Sequence, residues 1–177
     1  DLLRLMLMAS DNRAAMALAN NHPGGFSRFV AKMNDMARQY GMTYTHFVYP
    51  VRMGPSNMSR AFDLVTLLRL AAQHPLIRKY STTGELTLAT AARKRKARLQ
   101  FVRNTNALTR DHDWEIELSK TGYISKAGHC LVMQAKVSDR PVVIVLLDSF
   151  GRQGRLTDAQ HIKEWLEQRG GVGLARM

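Results

Sequence analysis

Trp114-Glu115-Ile116-Glu117-Leu118-Ser119-Lys120-Thr121-Gly122-Tyr123 is the stretch on which the reading of this chain turns. Its first half alternates apolar and acidic residues from Trp114 to Leu118, the period-two pattern of a half-buried strand. Lys120-Thr121-Gly122 follows that strand and precedes another, so a cation, a hydroxyl and a residue without a side chain stand in a row. Downstream, residues 128–137 and 142–147 read as two more strands, and Ser138-Asp139-Arg140-Pro141 joins them as the turn of an antiparallel hairpin. Thr157-Asp158-Ala159-Gln160 has the form of a capping box opening a last helix through Ile162, Trp165 and Leu166 to Gly170.

Upstream the period changes. Leu86-Thr87-Leu88 and Leu99-Gln100-Phe101-Val102 read as strands flanking Arg93-Lys94-Arg95-Lys96. Before them the chain is helical. Residues 2–8 are a dense apolar run interrupted by Arg4, Ser10-Asp11-Asn12 breaks it with three good capping residues, and a second helix runs from Arg13 to Ala19. Phe26, Phe29, Val30, Met33, Ala37 and Tyr40 recur at helical spacing, with Gly41 placed to end that helix. Residues 42–57 hold Pro50, Gly54 and Pro55 and read as a loop, after which Ser59 is placed to cap a helix facing inward through Leu64, Leu67, Leu68 and Ala71 and stopped by His74-Pro75. Helices, then antiparallel strands, then one closing helix make an α+β pattern. We expect one unit over 1–177, mainly helical over 1–80 and mainly antiparallel sheet with a C-terminal helix over 81–177.

Composition narrows the partners. The chain has 177 residues, 45% of them hydrophobic, enough for an ordinary core, and no run of 18 apolar residues of the kind that spans a membrane. Lys plus Arg is 26 against 14 acids, a net charge of +12, so the surface favours anionic polymers or lipid headgroups. The single cysteine, Cys130, excludes an internal disulfide and reads as a small packing residue. The six histidines show no metal-ligand spacing, so no metal is expected.

Two short motifs carry the chemistry. Ser10-Asp11-Asn12 lies at a break between helices, where side chains project, and Lys120-Thr121-Gly122 lies on a strand. S-D-N and K-T-G, with S-x-x-K, form the signature of class A β-lactamases and penicillin-binding proteins. The likeness extends through residues 8–15, Asn104-Thr105-Asn106, Ser119–Tyr123 and Ala127-Gly128-His129-Cys130-Leu131-Val132, over nearly the whole chain. On these residues the chain resembles the D-alanyl-D-alanine carboxypeptidase family of low-molecular-mass penicillin-binding proteins, especially its small periplasmic endopeptidases.

The resemblance implies a penicillin-binding/β-lactamase-like fold, an antiparallel sheet flanked by helices with a helical subdomain. It implies a serine-type peptidase cutting D-Ala-containing peptidoglycan peptides through an acyl-enzyme that β-lactams trap covalently, in the periplasm, with no cofactor. Within it Ser10, Asn12 and Lys120 are the expected catalytic residues. Ser10 relays a proton, the Asn12 amide holds the substrate backbone, and Lys120 supplies positive charge. Lys120, Thr121, Gly122 and Tyr123 are the expected substrate-binding residues. The Thr121 hydroxyl meets a terminal carboxylate, Gly122 admits the substrate as an added strand, and the Tyr123 backbone N–H serves as an oxyanion donor.

The first motif departs. No lysine has serine three residues before it, so S-x-x-K is absent. The nucleophile is therefore expected on a segment upstream of these residues, or on a separate piece that completes the sheet. Arg52 also stands where the family carries a Thr-Gly-Leu-Ser-like run. Plain readings coexist with these: Ser10 as a helix cap, Lys120 as a strand-edge residue, His129 as a strand residue beside the cleft, and Met6, Met8, Met33 and Met36 as core filler. The basic run Arg93–Lys96 reads as a solvated hairpin tip. The rival is a non-catalytic basic protein holding anionic wall polymer or nucleic acid, though no nucleic-acid motif accompanies the run. No glutamate heads a Glu-x-x-Leu-Asn loop, so rapid β-lactam turnover is not expected.

Overall fold

The computed structural model of the protein describes residues 1–51, 57–92 and 95–172. Arg52, Arg93 and Lys94 lie outside them, as do the side chains of the rest of the basic run. Five helices come first: α1 Leu2–Ala9, α2 Asn12–Asn20, α3 Gly25–Gln39, α4 Ala61–Ala71 and α5 Pro75–Thr82. Five strands follow: β1 Glu85–Ala92, β2 Arg95–Arg103, β3 Glu115–Ile124, β4 Gly128–Val137 and β5 Arg140–Ser149, with a 3₁₀ turn at Ala107–Arg110 between β2 and β3. The helix α6, Gly151–Val172, closes the chain.

The strands form an antiparallel pair, β1–β2, and an antiparallel three-stranded sheet ordered β3-β4-β5. Alternation along β4 buries Leu131, Met133, Ala135 and Val137. With Ile144 from β5, Leu108, Trp114 and Ala159 from α6, three of these residues make the main core, and Leu156 and Ile162 of α6 pack against it. A second cluster joins Met8 of α1 to Leu88 and Val102, so the β1–β2 pair rests on the first helix. Trp114 ties the start of β3 to α6, since its Nε1 donates to Gln160 Oε1 at 3.1 Å.

The structure departs from the sequence expectation at several element ends, each for a local reason. Lys120-Thr121-Gly122 lies inside β3 rather than after it, because pairing with β4 continues to Ile124 opposite Gly128. The β4–β5 turn is only Ser138-Asp139, both left-handed at φ 48° and 60°, as a two-residue turn matching the strand twist requires. Arg140 and Pro141 therefore belong to β5. Helix α6 starts at Gly151, so Thr157 is interior to it and the expected capping box is unused. Arg60, not Ser59, precedes α4, and the Ser59 hydroxyl pairs with Thr45 Oγ1 at 2.8 Å instead. His74-Pro75 both ends α4 and opens α5, with the proline in its first turn, where a missing N–H costs nothing. Of the methionines read as core filler, Met8 is buried, Met6 and Met33 line a cleft, and Met36 is 42% exposed. Cys130 is partly exposed, its thiol directed at the Ala127 carbonyl 3.3 Å away.

Candidate active site

The site begins with a helix end. Helix α1 terminates at Ser10, which adopts the left-handed conformation, φ 56° and ψ 35°, and the Asp11 N–H turns back to the Leu5 carbonyl at 3.1 Å. A non-glycine residue held there carries strain of about 1–2 kcal/mol, maintained only where the surroundings fix it. Here Asp11 fixes it by capping α2, its Oδ1 accepting from the Arg13 N–H at 2.8 Å and the Ala14 N–H at 3.0 Å. The Ala14 N–H, opposed by partial burial and helped by Arg13, holds the Asp11 carboxyl below the usual carboxylate value. The break between the two helices thus aims the Ser10 side chain at the sheet.

What it meets is Lys120. The lysine Nζ donates to Ser10 Oγ at 2.6 Å and to its neighbour's carbonyl, Thr121 O, at 2.7 Å. The two motifs, 110 positions apart in sequence, form one constellation. A second link runs beside it, since Thr121 Oγ1 donates to Thr105 Oγ1 at 2.7 Å and the Thr105 N–H donates to the Met8 carbonyl at 3.0 Å. Both neighbours of Thr105 are buried amides. Asn104 Nδ2 donates to the carbonyls of Ser81 and Thr83, each at 2.9 Å. Asn106 Nδ2 donates to Ser119 Oγ at 2.8 Å, and its Oδ1 accepts from the Leu108 N–H at 3.2 Å. Asn104-Thr105-Asn106 is therefore the joint that sets α1, α5 and β3 at fixed distances.

Strand β3 is an edge strand among the described residues, with β4 on one side, and two cavities border its Thr121–Tyr123 segment. One, of about 400 Å³, is lined by Ser10, Asn12 and Lys120 and walled by Met6, Met33, Phe47, Tyr49 and Val51. Its wall is a loop held by three polar anchors. Asn34 brackets Phe47, accepting from its N–H at 2.8 Å and donating to its carbonyl at 2.7 Å. Asn57 does the same for the segment Val48–Tyr49. Asp63, buried, accepts from the Tyr44 N–H, Thr45 Oγ1 and Arg60 Nε, each at 2.9 Å. Burial pushes the Asp63 carboxyl up, but these donors together outweigh it and leave the group below the usual value.

The other cavity, of about 340 Å³, is lined by Ser10, Thr105, Thr121, Tyr123, His129, Arg152 and Arg155. Arg155 is 4% exposed and its Nη1 donates to the carbonyls of Gly122 at 3.1 Å and Cys130 at 3.0 Å, clamping the ends of β3 and β4 to α6. Burial, reinforced by Arg152, lowers its pKa below the usual guanidinium value, yet the group stays charged. The result is one apolar-walled cavity and one cationic cavity on either side of the same short segment.

Of the residues expected from sequence, Ser10, Asn12, Lys120, Thr121, Gly122 and Tyr123 all line one or both cavities. Gly122 is not required by the fold, because an added Cβ would sit 3.6 Å from Cys130 Cβ, an ordinary contact. Sequence reasoning missed Arg152 and Arg155, which it left in a connection before a helix starting at Thr157. It quoted Asn104 and Asn106 only as part of the resemblance and missed the anchoring role of the amides, which carries no local pattern. Thr105 was within reach, as the centre of Asn104-Thr105-Asn106. No cluster of metal-ligating side chains occurs among the described residues.

The arrangement has close parallels. A DD-transpeptidase from Streptomyces K15 superposes with a TM-score of 0.86 at 28% identity, covering 93% of this chain and 66% of that one. Penicillin-binding protein D2 from Listeria monocytogenes, solved in an ampicillin-bound form, gives 0.77 at 25% identity, covering 93% and 65%. The fold is that of the penicillin-recognising DD-peptidases, of which this chain holds a part. Residues 1–151 match the D-alanyl-D-alanine carboxypeptidase family, to which the chain belongs. Among its relatives, the D-alanyl-D-alanine endopeptidases of Pseudomonas aeruginosa and Escherichia coli K12 are 45% and 43% identical over 167 residues. Those residues are 94% of this chain and 53% of each relative, so the chain spans about half the length of the curated relatives it matches.

Proposed function

We propose that these residues form the second and third motifs, and the substrate walls, of a serine-type D-Ala-D-Ala peptidase that cleaves peptidoglycan peptides. The observation that carries the reading is the 2.6 Å hydrogen bond from Lys120 Nζ to Ser10 Oγ, which joins a strained helix end to an edge strand. A cation held on a hydroxyl at a cavity mouth is suited to proton relay.

In this reading the acylating serine comes from outside these 177 residues, and 1–177 is one partial catalytic domain. Its Oγ attacks the carbonyl of the penultimate D-Ala, whose oxygen takes up charge beside the Tyr123 N–H. The serine proton passes through the Lys120–Ser10 pair to the amide nitrogen, the C–N bond breaks, and the amine departs. Water then hydrolyses the ester and returns a proton to the serine. The departing residue carries a carboxylate, which Thr121 and the positive field of Arg152 and Arg155 accommodate in the cationic cavity. The acyl strand lies against the Phe47–Val51 wall, with Asn12 beside its backbone and β3 offering an edge for pairing. A β-lactam follows the same first step, but its amine stays tethered, so the ester persists. Such chemistry on cell-wall peptides belongs in the periplasm; among the described residues no helix is long and apolar enough to cross a membrane.

The test is fluorescent penicillin labelling of the full-length protein and its Lys120→Ala variant. Covalent label on the parent and its loss in the variant support the reading. A folded full-length protein that never labels removes it and leaves binding through the basic surface as the account.

A further inference from the structure

The stacked rings of Tyr123 and His129 play no part in the chemistry above, yet both residues line the cationic cavity. The two residues are directly opposed across β3 and β4, and their rings lie 4.1 Å apart, tilted by 22°. The strand register thus builds a flat surface beyond Thr121. His129 Nδ1 is buried and has no hydrogen-bond partner among the described residues. An unpaired N–H in that position costs more than an unpaired lone pair, so the neutral ring carries its proton on Nε2. Nε2 is then the nitrogen that meets the cavity, as a donor.

The lining of the cavity also offers more than a carboxylate site. A leaving D-Ala puts only a carboxylate and a methyl group into it. A leaving cross-bridge residue presents the same carboxylate on a long aliphatic chain that ends in a further peptide. Cations at Arg152 and Arg155 beside a stacked aromatic surface with one donor suit the second cargo.

We propose that His129, supported by Tyr123, is a specificity-determining residue that packs the aliphatic chain and donates to the peptide of a cross-linked leaving strand, favouring endopeptidase over carboxypeptidase cleavage. The proposal rests on the function proposed above and concerns only its leaving side. Lys120 and Ser10 handle the proton in both reactions, so they set the rate of acylation and not the choice of substrate.

The experiment compares kcat/KM of the full-length protein on a cross-linked muropeptide dimer and on an uncross-linked pentapeptide, with penicillin labelling in parallel. His129→Ala is expected to lower kcat/KM on the dimer by about tenfold while leaving the pentapeptide and the labelling within about twofold. His129→Phe, which keeps a stacked ring but no donor, is expected to fall between parent and alanine variant on the dimer alone. Equal losses on both substrates, or no loss on the dimer in either variant, overturn the role of His129 while parent labelling keeps the peptidase reading. A parent that neither labels nor cleaves either substrate overturns both.

Discussion

Asn106 Nδ2 donates to Ser119 Oγ at 2.8 Å, and both side chains are fully buried, with Ser119 next to Lys120 in β3. The position of Lys120 is therefore set from behind by a buried amide. Asn106→Ala strands the Ser119 hydroxyl and the Leu108 N–H, and is expected to lower stability by about 2–4 kcal/mol. A urea midpoint at unchanged slope measures it, and a loss under about 0.5 kcal/mol contradicts the hub role.

Lys120→Ala is expected to leave the fold intact and to reduce penicillin acylation of the full-length protein by about a hundredfold or more. Lys120→Arg keeps the charge but not the compact ammonium 2.6 Å from Ser10 Oγ, and is expected to recover only a small part of the rate. Stopped-flow acylation reports both. Near-parental rates in the alanine variant would mean that the Lys120–Ser10 bond is structural.

Gly122 and Gly128 are expected to respond oppositely to alanine. At Gly122 an added Cβ meets nothing closer than 3.6 Å, so stability should hold while acylation falls, since the crowding is felt by a substrate lying along β3. At Gly128, with φ +61°, the Cβ would come within 2.1 Å of Asp148 Oδ1 and 2.9 Å of its Cα. There a loss of about 2–3 kcal/mol is expected. Thermal melts and labelling on the same two samples separate the effects.

Acid is expected to loosen the wall of the apolar cavity. The Asp63 carboxyl sits below its ordinary value of 3.8, so its contribution is fully present above that pH and is lost as pH falls through the lower folded-state value. Asp11 at the α1–α2 break behaves in the same sense. Stability measured from pH 6 downward should be flat at first and fall below about pH 4. Asp63→Asn should flatten that descent, and an unchanged acid limb in the variant counts against Asp63 as the pin.

Much of this was legible in the sequence because it depends on local rules. The α+β order, the β4–β5 hairpin and the position of Gly41 (φ +70°) follow from period, turn residues and left-handed tolerance. The contact of Ser10 with Lys120 was foreseeable only as a relation between motifs, since no local pattern reaches across 110 positions. The cationic floor was not foreseeable. Gly151-Arg152-Gln153-Gly154 carries two glycines, which disfavour a helix start there, and packing of Leu156, Ala159 and Ile162 on the sheet overrides them. That early start places Arg155 on a helix, beneath Gly122. The anchoring roles of Asn34 and Asn57 were hidden for a similar reason, because a side chain that serves a distant backbone leaves no periodic trace.

The left-handed turn at Ser10 also bears on endurance. In the proposed function the relay hydroxyl stands at Ser10, one residue beyond Ala9, so its position depends on that helix end staying wound, and helix ends open far more readily than cores. The relay can thus come apart while the sheet, α6 and the buried residues between them remain folded. On warming, catalytic competence should vanish several degrees before the cooperative melt, so storage life and working temperature are governed by one helix end and its Asp11 cap.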